Sequence, residues 1–475
     1  MKCRQIYKLY DHQAKTVDVC DKRDFFALLY DTGTGKTPTT IAILREKFAQ
    51  RGEFFKVLII CPLSILQQWH GEWVKFGGEM YRDKVSIVTG TAKQKKEALK
   101  VDVPIYITNI DTVNSKAMFE CLMKHKFECV VVDESHQIKG VNSKRTKNVT
   151  KLGEKAKYKF ILTGTPQTNG IHDLWSQYNF LCPGVVFHEN FFVFRGTYFY
   201  DKNAGARHRM GPKYFPNYVI CPGALEEIMA KIYTVSHVIR KEDCLDLPEL
   251  VDIVRHVEMT PEQKRLYKDM ERDCLAELGD KQSVAAMAMT KGMRLQQLNS
   301  GIFKDDEGEI TMIENNRSKV LQEILESINP DAKIIIWSVF IATYKDIEKV
   351  CEKIGRKCVS LTGQQSNAEK QRSITEFRTS RDSNTLIANP KSGGTGLNLT
   401  EASYSIYYTR NFNLEEALQS RARNYRAGSS DLHKKITMIH LTIPESIDEV
   451  ISKSLREKED LHDLLMDYKK AKQCE

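Results

Sequence analysis

Two series of short apolar runs constrain this chain more than any other feature. Phe25–Tyr30, Lys56–Cys61, Val85–Thr89, Ile105–Thr108, Cys129–Asp133 and Lys159–Thr163 make the first; Lys333–Trp337, Lys357–Leu361, Thr385–Ala388, Tyr404–Tyr408 and Ile436–Leu441 make the second. Most are apolar nearly throughout rather than alternating, a pattern a strand needs when both its faces are covered. Helical patterns such as Thr39–Gln50 and Ile65–Phe76 fall between them. The expectation is an α/β chain with two parallel sheets in tandem. Residues 188–316 read differently, with helical patterning at Pro261–Leu278 and Gln282–Asn299 and few convincing strands. The expected division is therefore 1–187, a mainly helical insertion at 188–316, and 317–475. The insertion opens on an aromatic and basic segment, Phe191–Tyr218, expected to bury its rings against the first domain. Stacking on bases is the alternative.

Composition narrows the class. A chain of 475 residues with 41% hydrophobic content can bury more than one core. Its net charge of +9 fits a phosphate-rich partner. The twelve cysteines form no C-x-x-C pair, which argues against zinc and fits a reducing cytosol. The N-terminal residues lack an apolar signal core and no apolar run is long enough to span a membrane, so a cytoplasmic protein without membrane contact is expected.

The chemistry begins at Asp31-Thr-Gly-Thr-Gly-Lys-Thr37, which follows a strand and precedes a helix. Gly33 and Gly35 let the backbone between Thr32 and Thr34 curl so that its N–H groups face phosphate oxygens. Lys36 then reaches the β and γ phosphates and Thr37 ligates Mg²⁺. The strict G-x-x-x-x-G-K-T pattern fails at its first glycine, where Tyr30 stands. A chance glycine-rich turn is the alternative, and the strand-before, helix-after context speaks against it. Asp133 and Glu134 end the run CVVVD, where ligands bind in parallel sheets. Asp133 is the candidate Mg²⁺ ligand and Glu134 the group that orients the attacking water. Arg423 and Arg426 stand at i and i+3. On a helix they would share a face and could meet charge developing on a γ-phosphate. Arg421 reads as an ordinary basic surface residue.

These residues resemble helicase superfamily two, and within it the Swi/Snf-like, chromatin-remodeller-type ATPases. Leu9-Tyr-Asp-His-Gln13 resembles the adenine-sensing glutamine motif, and DTGTGKT motif I. Cys61-Pro-Leu-Ser-Ile-Leu-Gln-Gln-Trp69 is similar to motif Ia, where a proline, serine and tryptophan recur. DESHQIKG resembles motif II with Ser135 in place of alanine, and Leu162-Thr-Gly-Thr-Pro166 with Asn169 resembles motif III. Asn179-Phe-Leu-Cys-Pro-Gly184 is distinctive of the Swi/Snf type. Lys333-Ile-Ile-Ile-Trp-Ser338 is similar to motif IV, Ser392-Gly-Gly-Thr-Gly-Leu-Asn-Leu399 to motif V, and Gln419–Gly428 to motif VI. The motifs follow the family's order along nearly the whole chain. Departures occur near motif VI: Asn424-Tyr425 replace Ala-His, and the usual preceding aspartate is replaced near Thr409.

The resemblance implies two RecA-like lobes closing on ATP and Mg²⁺. It implies that Gln13, Gly396 and Gln419 join the loop residues in holding nucleotide. Lys36, Glu134, Arg423 and Arg426 are the implied catalytic set. It further implies phosphate contacts by Ser64, Thr165, Lys391, Ser392 and Gly393 on a nucleic-acid partner. The expected function is an ATP-dependent duplex DNA translocase, with a compact bacterial or phage member the favoured type. A strand-separating DNA or RNA helicase is one alternative, and a nucleotide-gated DNA-binding subunit of a nuclease complex another. A monomer is expected, with a nuclease as a further partner to consider.

Overall fold

Alternate residues of the first apolar series face opposite ways. Ala27, Leu29, Leu58, Ile60, Val130, Val132 and Ile161 enter one core. Phe26, Leu28, Tyr30, Val57, Ile59, Val131, Phe160 and Leu162 enter another on the opposite side. The period of two that defines a strand thus covers both sheet faces, as the continuous apolar runs require. The computed structural model describes residues 7–168, 170–206, 214, 216–278, 284–305, 309–393 and 397–473. They form two units, Met1–Leu245 with Asp460–Glu475, and Asp246–Glu459.

In unit one the strands are β1 (Phe25–Tyr30), β2 (Val57–Ile60), β3 (Val85–Val88), β4 (Ile105–Thr108), β5 (Cys129–Asp133) and β6 (Tyr158–Thr163). A small antiparallel hairpin follows, β7 (Phe199–Asp201) with β8 (Tyr218–Ile220), and then β9 (Ser236–Ile239). The main sheet runs β3-β4-β2-β5-β6-β1-β9 and every pairing in it is parallel. In unit two, β10 (Glu249–His256) precedes the hairpin β11 (Ile302–Lys304) and β12 (Ile310–Met312). Then come β13 (Lys333–Trp337), β14 (Lys357–Leu361), β15 (Ser383–Ala388), β16 (Ala402–Tyr407) and β17 (Lys435–Thr442). That sheet is ordered β10-β17-β16-β13-β15-β14, again all parallel. The expected α/β architecture of two parallel sheets is what the chain adopts. Among the described residues no helix is long and apolar enough to cross a membrane.

The units divide at Leu245/Asp246, inside the segment read as a helical insertion. Its first part completes unit one: Phe194, Tyr198, Phe199, Ile228, Met229 and Ile232 join the core on one face, and β9 extends the sheet beside β1. Its second part supplies β10, the edge strand of unit two. The two strands escaped the sequence reading because SHVI and ELVDIVRH mix polar with apolar residues and lack the continuous apolar run of a fully covered strand, as partly exposed edges do. The helix Pro261–Leu278 is as expected, and the next is described from Val284 to Asn299, residues 282 and 283 of the expectation lying outside the described residues.

Unit two is knotted together by one buried cation. Arg317, 1% exposed, donates through Nε to the Asn299 carbonyl at 2.8 Å and through Nη1 to the carbonyls of Tyr408 and Leu441, and it pairs with Asp448. It therefore ties the end of one helix to the chain following β16, to the end of β17 and to the start of the helix Ile447–Gln473. Removing it would leave the mostly buried Asp448 carboxylate without its cation, with the Ile443 N–H as its remaining donor at 3.1 Å, and would take the guanidinium donor from three carbonyls. We predict that Arg317→Met lowers the stability of unit two by about 3–5 kcal/mol, read from denaturant unfolding followed by circular dichroism. A loss under about 1 kcal/mol, the size seen for exposed pairs, would contradict this reading.

Candidate nucleotide site

Parallel strands deliver their carboxyl ends to one edge, and the order of the first sheet decides which loops meet there. β2, β5, β6 and β1 are consecutive neighbours. The segment Pro62–Ser64, the pair Asp133-Glu134, the segment Gly164–Thr165 and the loop Asp31–Gly35 therefore emerge side by side, strands about 4.8 Å apart. Four motifs dispersed over more than a hundred residues become one rim.

The loop after β1 curls through two glycines in the left-handed region, Gly33 at φ +93° and Gly35 at φ +90°. Lys36 opens the helix Lys36–Arg51 and its Nζ donates to the Tyr30 carbonyl at 3.0 Å. Thr34 closes the turn with its hydroxyl on the Asp31 carbonyl at 2.8 Å, while Thr32 and Thr37 stay partly exposed. Gln13 is buried directly over the loop: a Cβ on Gly35 would lie 2.1 Å from its Nε2. The glutamine motif and motif I thus touch through the absence of a side chain. Gly164 repeats the device, since a Cβ there would lie 3.0 Å from the Tyr30 carbonyl and 3.3 Å from the Thr32 nitrogen. A side chain on motif III here would press on the phosphate-loop backbone more tightly than ordinary contact allows. Asp31 is fixed from outside the loop, accepting from the Lys241 N–H at 3.1 Å with His462 Nε2 3.9 Å away. Burial opposes its charge, but the His462 and Lys241 contacts outweigh that and hold the carboxyl below the usual range.

Asp133 ends β5 buried at 6% exposure. Its Oδ2 accepts from the indole Nε1 of Trp69 at 2.8 Å and its Oδ1 from the Glu134 N–H at 3.0 Å. Burial first, and the neighbouring Glu134 charge second, push its carboxyl up to about 7, with Lys36 and the Trp69 bond pulling the other way. A carboxylate this reluctant to ionise gains from an added cation. Glu134 holds a left-handed backbone, φ +52° and ψ +57°, which costs a non-glycine residue about 1–3 kcal/mol. His136 stands 3.5 Å from its Oε2 and 3.4 Å from the Thr163 hydroxyl, linking motifs II and III. Thr163 Oγ1 also accepts from the Thr165 N–H at 3.0 Å. Among the described residues no group of three His, Cys, Asp or Glu side chains could hold a metal unaided. The hard oxygen donors Asp133 and Thr37 beside a phosphate loop instead fit Mg²⁺, which binds through one or two protein oxygens plus substrate phosphates.

Unit two places Arg423 and Arg426 on one acceptor. Arg423 Nη1 and Arg426 Nη1 both donate to the Leu397 carbonyl, at 3.0 and 3.2 Å. They are not on a helix, as their spacing had suggested. The helix Leu414–Arg421 ends before them, because Tyr425 turns into the core beside Trp337 and Tyr407 and the Arg423 carbonyl accepts from Leu399. The two guanidinia converge through tertiary packing instead. Gln419 lies on that helix, its Nε2 on Glu415 at 3.0 Å. Arg421 is not the plain surface residue expected: it is 25% exposed and paired with Asp252 of β10. Thr409 occupies the aspartate's usual place by accepting from the Val339 N–H at 2.7 Å.

The nucleic-acid candidates divide. Ser64 is exposed on the turn Leu63–Ile65, and Lys391 is exposed on the short helix Pro390–Gly393 that also holds the Ser392 and Gly393 backbone. Thr165 is buried. Gly396 and Asn169 lie outside the described residues. In the aromatic segment Phe194, Tyr198 and Phe199 are buried in the core as expected, while Phe192, Tyr200 and Tyr218 are exposed. Two contacts had no sequence signal that assigned them: Trp69 on Asp133, and Ser135 Oγ on Gln177 at 2.6 Å, which in turn donates to the Pro166 carbonyl at 2.6 Å. The second explains why serine is tolerated in motif II.

Residues 26–305 match the SNF2-related domain. The chain belongs to that family. Residues 316–428 match the helicase conserved C-terminal domain, and the SNF2-related and helicase domains together indicate ATP hydrolysis of the helicase or translocase type. An uncharacterized ATP-dependent helicase of Mycoplasma pneumoniae is 26% identical over 469 residues, 96% of this SNF2-related chain and 42% of that protein. Protein p41 of Acyrthosiphon pisum secondary endosymbiont phage 1 is 25% identical over 454 residues, 93% of this chain and 94% of its own length. The chain thus spans about two fifths of the Mycoplasma relative and nearly all of the phage one. Among solved structures, the Sulfolobus solfataricus SWI2/SNF2 ATPase core in complex with dsDNA aligns at a TM-score of 0.44 and 23% identity, over 98% of this chain and 95% of that one.

The raised Asp133 carboxyl has a stability consequence. The folded chain keeps a proton that the unfolded chain releases above about pH 4, so Asp133 costs stability increasingly as pH rises from there through about 7. In Mg²⁺-free buffer Asp133→Asn should therefore be more stable than the native sequence at pH 8, by about 1 kcal/mol or more, and the gain should shrink toward pH 4. Denaturant midpoints at the two pH values test it; an unstable variant at pH 8 would contradict the account of the site's electrostatics.

Proposed function

We propose that this SNF2-related chain is an ATP- and Mg²⁺-dependent translocase on duplex DNA. The observation that carries the nucleotide half is the shared rim of unit one, where the phosphate loop, Gly164 and Asp133-Glu134 adjoin. The loop N–H groups and Lys36 bind the phosphates, Thr32 and Thr34 shape the cradle, and Gln13 meets the base. Thr37 and Asp133 hold the cation, which when bound neutralises charge on the β and γ phosphates. Glu134 accepts a hydrogen bond from the attacking water and orients it. The family resemblance adds, from the sequence of unit two, Arg423 and Arg426 as the side chains to stabilise transition-state charge and Gln419 and Gly396 as further nucleotide contacts.

The duplex half rests on motif form. Pro62-Leu-Ser-Ile65, Asn179–Gly184 and Gly393-Gly394 resemble duplex-tracking motors. Ser64, Lys391, Ser392 and Gly393 would grip phosphates, contacts that carry no sequence information and suit movement along any sequence. The buried Thr165 is better placed to relay than to touch a strand.

The test pairs two substrates. A translocase strips a short third strand from a duplex without melting it, whereas a strand separator resolves a fork. We predict ATP-dependent third-strand release with little fork unwinding. Arg426→Ala should slow release by about 10³-fold or more, as loss of an arginine finger does. Efficient fork unwinding without third-strand release would make the conventional helicase the better reading.

A further inference from the structure

The Trp69 indole does something its burial alone does not require. The helix Leu66–Glu72 packs Leu66 and Trp69 into the same core as Trp73 and Tyr81. A ring there needs only to be apolar. Yet the Trp69 side chain, 1% exposed, aims its one donor at Asp133 Oδ2 across 2.8 Å. The acceptor is the residue assigned above to the cation. Its other oxygen accepts from the Glu134 N–H at 3.0 Å, so both carboxylate oxygens have a fixed donor and the plane of the group is set. A buried carboxylate with a free rotor would turn toward Lys36 or away from Glu134 according to charge. The indole N–H removes that freedom without adding charge, and it favours the ionised form that a cation needs.

We infer that Trp69 is the positioning residue that holds the Asp133 carboxylate in line for the nucleotide-bound cation. Outer partners of metal-ligating groups act in this way, orienting a ligand without touching the metal. The inference rests on the reading of Asp133 as the cation ligand. It goes beyond that reading by assigning a function to the motif Ia tryptophan, whose helix follows directly from the exposed turn Leu63–Ile65. Phenylalanine at position 69 would keep an apolar ring and lose the donor.

The experiment measures ADP affinity of the full chain by calorimetry, once with Mg²⁺ and once with EDTA, and compares Trp69→Phe with the native sequence. We expect the EDTA affinities to agree within about twofold, and the strengthening by Mg²⁺ to fall about 10–100-fold in the variant. On Asp133→Asn, which lacks the ligand, adding Trp69→Phe should change nothing further. An unchanged Mg²⁺ effect in Trp69→Phe overturns the inference, and so does an equal loss with and without Mg²⁺, which is what a merely structural ring would give. Should Trp69→Phe fail to fold, indole N–H resonances of the native chain decide the matter. The four tryptophans are Trp69, Trp73, Trp175 and Trp337. The Trp69 indole signal, assigned by elimination from the spectra of Trp73→Phe, Trp175→Phe and Trp337→Phe, should shift when Mg²⁺ is added to the ADP-saturated protein; no shift overturns the inference. A native chain whose ADP binding ignores Mg²⁺ would instead overturn the underlying assignment of the cation site, and the role of Trp69 with it.

Discussion

The parallel pairing of β2, β5, β6 and β1 is the constraint on which the rest of unit one depends. Parallel strands cannot be joined by tight turns, so each must be followed by a crossover that covers a sheet face. That demand produces the two cores and the nearly unbroken apolar runs. It also places every loop that follows a strand at the same edge. The chemistry then needs no long-range design beyond strand order. With β6 between β5 and β1, Gly164 falls between the acidic pair and the phosphate loop, where a side chain would meet backbone at less than ordinary contact distance. A Cβ at that position would press on the loop backbone itself, which cannot swing aside as a side chain would.

Assembly at one edge concentrates charge, and the molecule tolerates the cost. Asp133 is buried beside Glu134, and its carboxyl is pushed toward neutrality. Glu134 sits in a strained backbone conformation. Neither feature stabilises the fold; both set up a place where a cation and phosphates are welcome, the usual balance between stability and activity at such sites. Lys36 and the Trp69 indole moderate the tension from two sides. Unit two handles buried charge in the opposite way, giving each of the Arg317 guanidinium nitrogens Nε, Nη1 and Nη2 an acceptor.

Much of this was legible in the residues. Phe25–Tyr30, Ile105–Thr108, Cys129–Asp133 and Lys333–Trp337 occupy the strands their apolar runs predict, because nearly full burial leaves an unambiguous signature. The loop glycines were readable because positive φ demands them. Edge strands β9 and β10 were not, since half-exposed strands mix polar and apolar residues as loops do. The end of the helix at Arg421 was hidden for another reason. Local spacing favours continuation, and the packing of Tyr425 overrides it. Contacts such as Trp69 with Asp133 and His462 with Asp31 join residues far apart in the chain. No local pattern encodes them, and only the fold reveals that the two motif residues Trp69 and Asp133 are partners.

The nucleotide rim is proposed to serve movement along duplex DNA. The most direct measurement is the ATP turnover of the purified chain with no nucleic acid, with duplex DNA, with single-stranded DNA and with RNA, in parallel and at rising salt. The largest stimulation is expected with duplex, lost steeply as salt increases because each neutralised phosphate releases condensed counterions. Equal stimulation by all three polymers, or a stronger response to single strands or RNA, would contradict it.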